Sequence, residues 1–141
     1  MRNLRIYSKN KYVKKTNVHK LVSALSEKLN FSILSLDINF ISAKRIKKIN
    51  IEYLNHSYST DIITFNYSEQ LNFFDAEIFI SVDDAIANAV KFQVSIQTEL
   101  ARLIIHGILH LLGYDDQKIN KKILMKRQEN KLLNTFKFIL L

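Results

Sequence analysis

The stretch TELARLIIHGILHLLGYDD, residues 98–116, decides the fold. Its first part is apolar around most of a helical circumference, which marks a helix buried on several sides. The pattern predicts a helix over residues 97–112 at the centre of the molecule. Gly113 follows where a left-handed residue is expected to end that helix, and it is one of only two glycines in the chain. The other, Gly107, lies within the helix, where it costs about 0.8–1.0 kcal/mol relative to Ala. Such a cost implies close approach by another element or a ligand.

His106 and His110 stand four residues apart, so both imidazoles leave one face of the helix, with Cβ atoms about 5–6 Å apart. One metal ion can bridge that distance. The break at Gly113 brings Tyr114, Asp115 and Asp116 in front of the histidine face, giving the spacing H-x3-H-x2-G-x2-D. Three N or O ligands with an open fourth position make a catalytic zinc site, whereas structural zinc closes four ligands and usually uses cysteine. The chain has no cysteine, so Asp116 is the natural third ligand. On the residues alone, two core histidines bonded to carbonyls remain the alternative. A zincin protease carries Glu beside its first histidine as general base, and here that position is Gly107. Asp115 and Glu77 are candidate proton acceptors by type.

Outward from this helix, alternation predicts strands over residues 2–8, 36–41, 61–67 and 76–82. A helix capped by Thr16 or Asn17 carries Val18, Leu21, Val22, Leu25 and Leu29 on one face. A basic helix opens at Ser42 with Ile46, Ile49 and Tyr53 as its buried stripe, and Ser81 with Asp84 resembles a capping box before a further helix. A last helix over residues 118–133 places Ile119, Ile123, Leu124 and Leu132 on its apolar side. The order is βα, βα, ββ, then three helices. The expected class is α+β, a mixed four-stranded sheet with helices packed on it.

At 141 residues, with 48% apolar and 24% charged side chains, the chain has the composition of one folded domain, residues 1–141. It shows no apolar run long enough to span a bilayer and no apolar segment behind its N-terminal charges, so a cytoplasmic protein without membrane association is expected. The net charge of +8 is uneven. Residues 1–50 hold twelve basic and two acidic side chains, residues 51–100 one and eight, and residues 101–141 eight and three. Separate surfaces of opposite potential follow, and a polyanion is a fitting partner for the basic ones.

HGILHLLGYDD, residues 106–116, closely resembles the signature H-G-x-L-H-L-x-G-Y-D-H of the YbeY endoribonucleases, also called rRNA maturation factors. Upstream, TDIITF at residues 60–65 resembles that family's T-D-V-L-S-F strand, and AEIFIS at residues 76–81 its G-D-I-x-I-S strand. Order and spacing agree across residues 35–133. The resemblance implies a zincin-like fold, one zinc-type ion held by His106, His110 and Asp116, and cleavage of single-stranded ribosomal RNA during maturation of the small ribosomal subunit, with small-subunit proteins as further partners. Asp116 stands where the family has its third histidine, a substitution that makes the site harder and more anionic. Leu54 stands where the family has an arginine attributed to phosphate binding, with His56 nearby. Phosphate contact then falls to Arg45, Lys47, Lys48 and Arg102, and base stacking to Phe73, Phe74 or Tyr114. Two other readings stay open on the residues: a non-catalytic ribosome assembly factor and a small metalloprotease.

Overall fold

The structure, a computed structural model, describes residues 3–55 and 60–140. Strand β1 (Leu4–Tyr7) leads into helix α1 (Lys15–Leu29), β2 (Ser32–Ile41) into α2 (Ala43–Leu54), and β3 (Ile62–Asn66) into β4 (Phe73–Ser81). Helices α3 (Val82–Phe92), α4 (Ile96–Leu111) and α5 (Ile119–Phe136) follow, with a 3-10 turn over Lys137–Leu140. The sheet runs in the order β1-β2-β4-β3. The first three strands are parallel and β3 is antiparallel to β4. This is the expected mixed α+β sheet.

Register sorts the side chains into two faces, because neighbours paired across strands point the same way. Leu4, Leu36, Ala76, Ile38 and Ile78 share the inner face with Ile62 and Thr64. Helices α1 and α4 cover it, and its residues join one core with Val18, Leu21, Ile104 and Ile108. Phe74 stacks on Phe31 at 4.3 Å within that core, so it is no platform for a base. Arg5, Asp37, Glu77, Phe65 and Phe79 share the outer face, on which α2 packs over β3 and β4.

Helix α4 is central as expected, packing on α3, α5, β3 and β4. Gly107 explains how closely: a Cβ there would stand 3.1 Å from Cδ1 of both Ile62 and Ile78. The close approach is thus made by the sheet. Gly113 has φ +99, the left-handed conformation foreseen for it.

Strand β2 begins four residues before its expected start, and one helix start and two buried helix faces also differ from the sequence reading. Helix α1 begins two to three residues early, with Lys14 at the N-cap and no side-chain cap, so neither Thr16 nor Asn17 caps it. In α2, Ile46 is buried, but Tyr53 is 69% exposed and Asn50 takes the second buried position. In α5, Ile119, Ile123 and Leu124 are exposed, and the buried stripe is Met125, Glu129 and Leu132. The caps of α2 and α3 hold: Ser42 Oγ accepts from the Arg45 amide, and Ser81 Oγ from that of Asp84. No described helix is long and apolar enough to cross a membrane.

The contact at Gly107 sets an expectation. Gly107→Val overfills the α4–sheet interface and lowers unfolding free energy by about 1–3 kcal/mol, measured by urea titration.

Candidate functional site

One pocket of about 240 Å³ gathers side chains from two elements and a loop. Helix α4 supplies His106 and His110, the edge strand β3 and its approach supply Thr60, Asp61, Ile62 and Thr64, and the turn after Gly113 supplies Asp116. The turn forms because Gly113 and Tyr114 donate amide hydrogen bonds back to the carbonyls of His110 and Leu109. Asp116 thereby returns to the histidine face.

His106 is held from behind. Its Nδ1 lies 2.8 Å from Oε2 of Glu129, which is buried in α5. An ionised carboxylate only accepts, so Nδ1 donates, and Nε2 faces the pocket. Nε2 lies 3.7 Å from Oδ2 of Asp116. Two ligands of one tetrahedral zinc, each at about 2.0–2.1 Å, are about 3.3–3.4 Å apart, so this pair is close to a shared coordination sphere. His110 opens, exposed, on the same pocket. Among the described residues, no group of three or more His, Asp or Glu side chains stands in metal-holding geometry.

A chain of polar groups, anchored on the buried Glu129 and Glu99, continues behind the histidine. Arg102 donates from Nη1 to Glu129 at 2.9 Å, and from Nε and Nη2 to the two oxygens of Glu99, each at 2.7 Å. Asn88 links Glu99 to Asp61, donating to both carboxylates. Burial opposes ionisation of Glu129, yet the hydrogen bonds from His106 and Arg102 outweigh it and hold the carboxyl below its ordinary value. The bonds to Glu99 prevail over burial in the same way, with Glu129 adding to them, and raise Arg102 further above its ordinary value.

The other candidates fall elsewhere. The Arg102 guanidinium is engaged by Glu99 and Glu129 and braces α4 to α5, so it is not free to receive phosphate. Arg45 and Lys48 line a second cleft, between α2 and the outer face of the sheet. Lys47 is exposed on the same helix. Glu77 lies on that outer face, bonded by the Tyr67 hydroxyl at 2.9 Å, and is separated by the sheet from His106. Asp115 Oδ1 accepts from the Gln117 amide in a local turn. Tyr114 packs against the core, and Phe73 is half-buried. Leu54 is exposed at the end of α2, and His56 lies outside the described residues.

The sequence reading missed Glu129, Glu99 and Asn88. Glu129 did leave a signal, an acidic residue in the 125, 129, 132 register of the last helix. Exposed Ile119 and Ile123 drew the helix face the wrong way.

The family model for endoribonuclease YbeY matches residues 3–137 of this chain. The chain belongs to the YbeY endoribonuclease family. It is 42% identical over 106 residues to endoribonuclease YbeY of Chlorobium limicola, covering 75% of this chain and 73% of that one. With the Cytophaga hutchinsonii endoribonuclease YbeY it shares 35% identity over 124 residues, 88% of this chain and 87% of the relative. The solution structure of a Thermotoga maritima protein aligns with a TM-score of 0.67 at 25% identity, covering 93% of this chain and 87% of that one.

The His106 support is testable by substitution. Glu129→Ala leaves buried donors on Arg102 and His106 without their acceptor and lowers stability by about 1–3 kcal/mol. Glu129→Gln keeps an acceptor for one of them and recovers part of the loss. Thermal or urea unfolding of both variants measures the difference.

Proposed function

We propose that the chain, acting as one domain, is a metal-dependent endoribonuclease that cuts single-stranded ribosomal RNA during maturation of the small ribosomal subunit. The observation that carries this reading is the oriented His106, whose Nε2 faces Asp116 across the pocket while Glu129 holds Nδ1. The proposed ligands of one zinc-type ion are His106, His110 and Asp116. The donor set suits such an ion: two imidazoles, one carboxylate and an open side. When bound, it supplies Lewis-acid polarisation of a phosphoryl oxygen.

The chain's own groups do the rest. Glu129 fixes the tautomer of His106 and keeps its lone pair aimed into the pocket. The Thr64 hydroxyl lines the opposite wall and offers a hydrogen bond to a phosphodiester, while that of Thr60, beside it, donates to the Ile62 carbonyl. Asp61, whose side chain is 33% exposed, is the carboxylate best placed to accept a proton from a water or a ribose 2′-hydroxyl. Asn88 holds its Oδ2 in place, which leaves Oδ1 for that role. A protease reading finds no support here, since the position of its general base is Gly107, pressed against the sheet.

The RNA-cleaving reading has a direct test. Zinc-loaded protein cuts single-stranded rRNA fragments, and His110→Ala reduces the rate by about 100-fold or more. Equal cleavage by the two proteins would come from a contaminating nuclease and refute the assignment. Elemental analysis of gently purified protein is expected to find about one equivalent of divalent metal, lost in His106→Ala. Asp116→His, which replaces a hard oxygen ligand by an imidazole, is expected to raise affinity for zinc relative to manganese, read in a competition titration.

A further inference from the structure

The outer face of the sheet carries a second cleft that the proposed reaction does not use. One wall is a stripe of α2 at helical spacing, with Arg45, Lys48 and Tyr53 on it. The floor is Phe65 and Phe79, and Tyr67 stands at the rim. The rings form a ladder: Tyr53 meets Phe65 edge-on at 5.9 Å, and Phe65 meets Phe79 at the same distance. Tyr53 and Tyr67 are 69% and 59% exposed, so this aromatic surface opens to solvent.

The two cations are available. Arg5 and Arg102 are tied to carboxylates, whereas Arg45 and Lys48 make no ion pair among the described residues. The cleft also has a specific place in the fold. Thr64 lines the His106 pocket on the inner face, and its neighbour Phe65 lines the cleft on the outer face. Both lie on β3, the edge strand, so only the width of one strand separates pocket from cleft. A flexible polymer leaving the pocket reaches the cleft by turning around that edge.

We propose that this cleft is a single-stranded RNA subsite, in which Tyr53 and Tyr67 stack on bases flanking the cut and Arg45 and Lys48 take backbone phosphates. Exposed rings beside free cations are the two components of single-strand recognition, one for bases and one for backbone. The carboxylates of Glu52 and Glu77 in the same cleft repel phosphate but accept hydrogen bonds from base amino groups. An apolar peptide there would bury Arg45, Lys48 and Glu52 without offering them partners. The proposal rests on the endoribonuclease reading, since RNA is the occupant that reading brings to the adjacent pocket.

Fluorescence anisotropy with a labelled single-stranded 12-nucleotide RNA tests it, on full-length protein carrying His110→Ala so that the RNA stays intact. Tyr53→Ala and Tyr67→Ala are each expected to weaken binding about fivefold or more while melting at the parent's temperature. Tyr53→Phe restores affinity and Tyr53→Leu does not. Arg45→Ala with Lys48→Ala lowers the slope of log affinity against log salt by about 1.4. Unchanged RNA affinity in these variants overturns the subsite, as does rescue by Leu as complete as by Phe. A dimer that Tyr53→Ala dissolves, with RNA affinity unmoved, gives the face to a second copy of the chain and also overturns it. The two readings fail separately. Normal cleavage with cleft variants that bind normally removes only the subsite. RNA held through the cleft but never cut by the metal-loaded parent supports the subsite and removes only the nuclease.

Discussion

A carboxylate buried under a helix has to be paired or neutralised, and the way Glu129 is paired shapes much of this molecule. Its two oxygens accept from Arg102 on one side and His106 on the other, so a single side chain of α5 ties down two residues of α4. Removing water from an ion is expensive, and only a full set of charge-assisted hydrogen bonds offsets that cost. The set extends further: Arg102 also gives Nε and Nη2 to Glu99, and Glu99 shares Asn88 with Asp61. The network therefore runs from α5 through α4 and α3 to the approach of β3. It ends at both walls of the pocket, on His106 and on Asp61. Rigidity at the histidine is thus a property of three helices and a strand, not of α4 alone.

The parts of this architecture that depend on periodicity were legible in the chain. Helix α4 declared itself by being apolar all round, and β2, β3 and β4 by alternation of β-branched and aromatic residues. Gly107 and Gly113 were legible because each violates a local preference that only packing or a turn can justify. Periodicity failed where apolar residues lie on the surface. Ile119 and Ile123 made a convincing stripe on α5, and nothing local distinguishes an exposed isoleucine from a buried one. Tyr53 misled in the same way, and the buried partner it displaced was a polar residue, Asn50. The pairing of Glu129 with His106 spans 23 residues, so no motif of short range could show it.

The candidate site divides along the same line. His106, His110 and Asp116 sit within one turn and its break, and the structure brings all three to one pocket. Charge alone marks the basic residues as phosphate partners, and charge carries no direction. Pairing separates them, tying Arg102 to Glu99 and Glu129 and leaving Arg45 and Lys48 on the far face of the sheet. Leu54 and Asp116, the two departures from the family pattern, lie at exposed positions, where a change of residue is little constrained by packing.

The strand order has a consequence for how the chain is made. Strand β2 pairs on one side with β1, which precedes it, but its other neighbour is β4, which begins at Phe73. At a synthesis rate of about 5–20 residues per second, that side of β2 waits about 2–6 seconds for its partner. An open strand edge of that kind invites pairing with another chain. The residues that emerge next include Lys44, Arg45, Lys47 and Lys48, a block of positive charge beside a hydrophobic strand. Flanking charge of this sort opposes edge-to-edge association, so the same cluster guards the nascent sheet before any substrate is present.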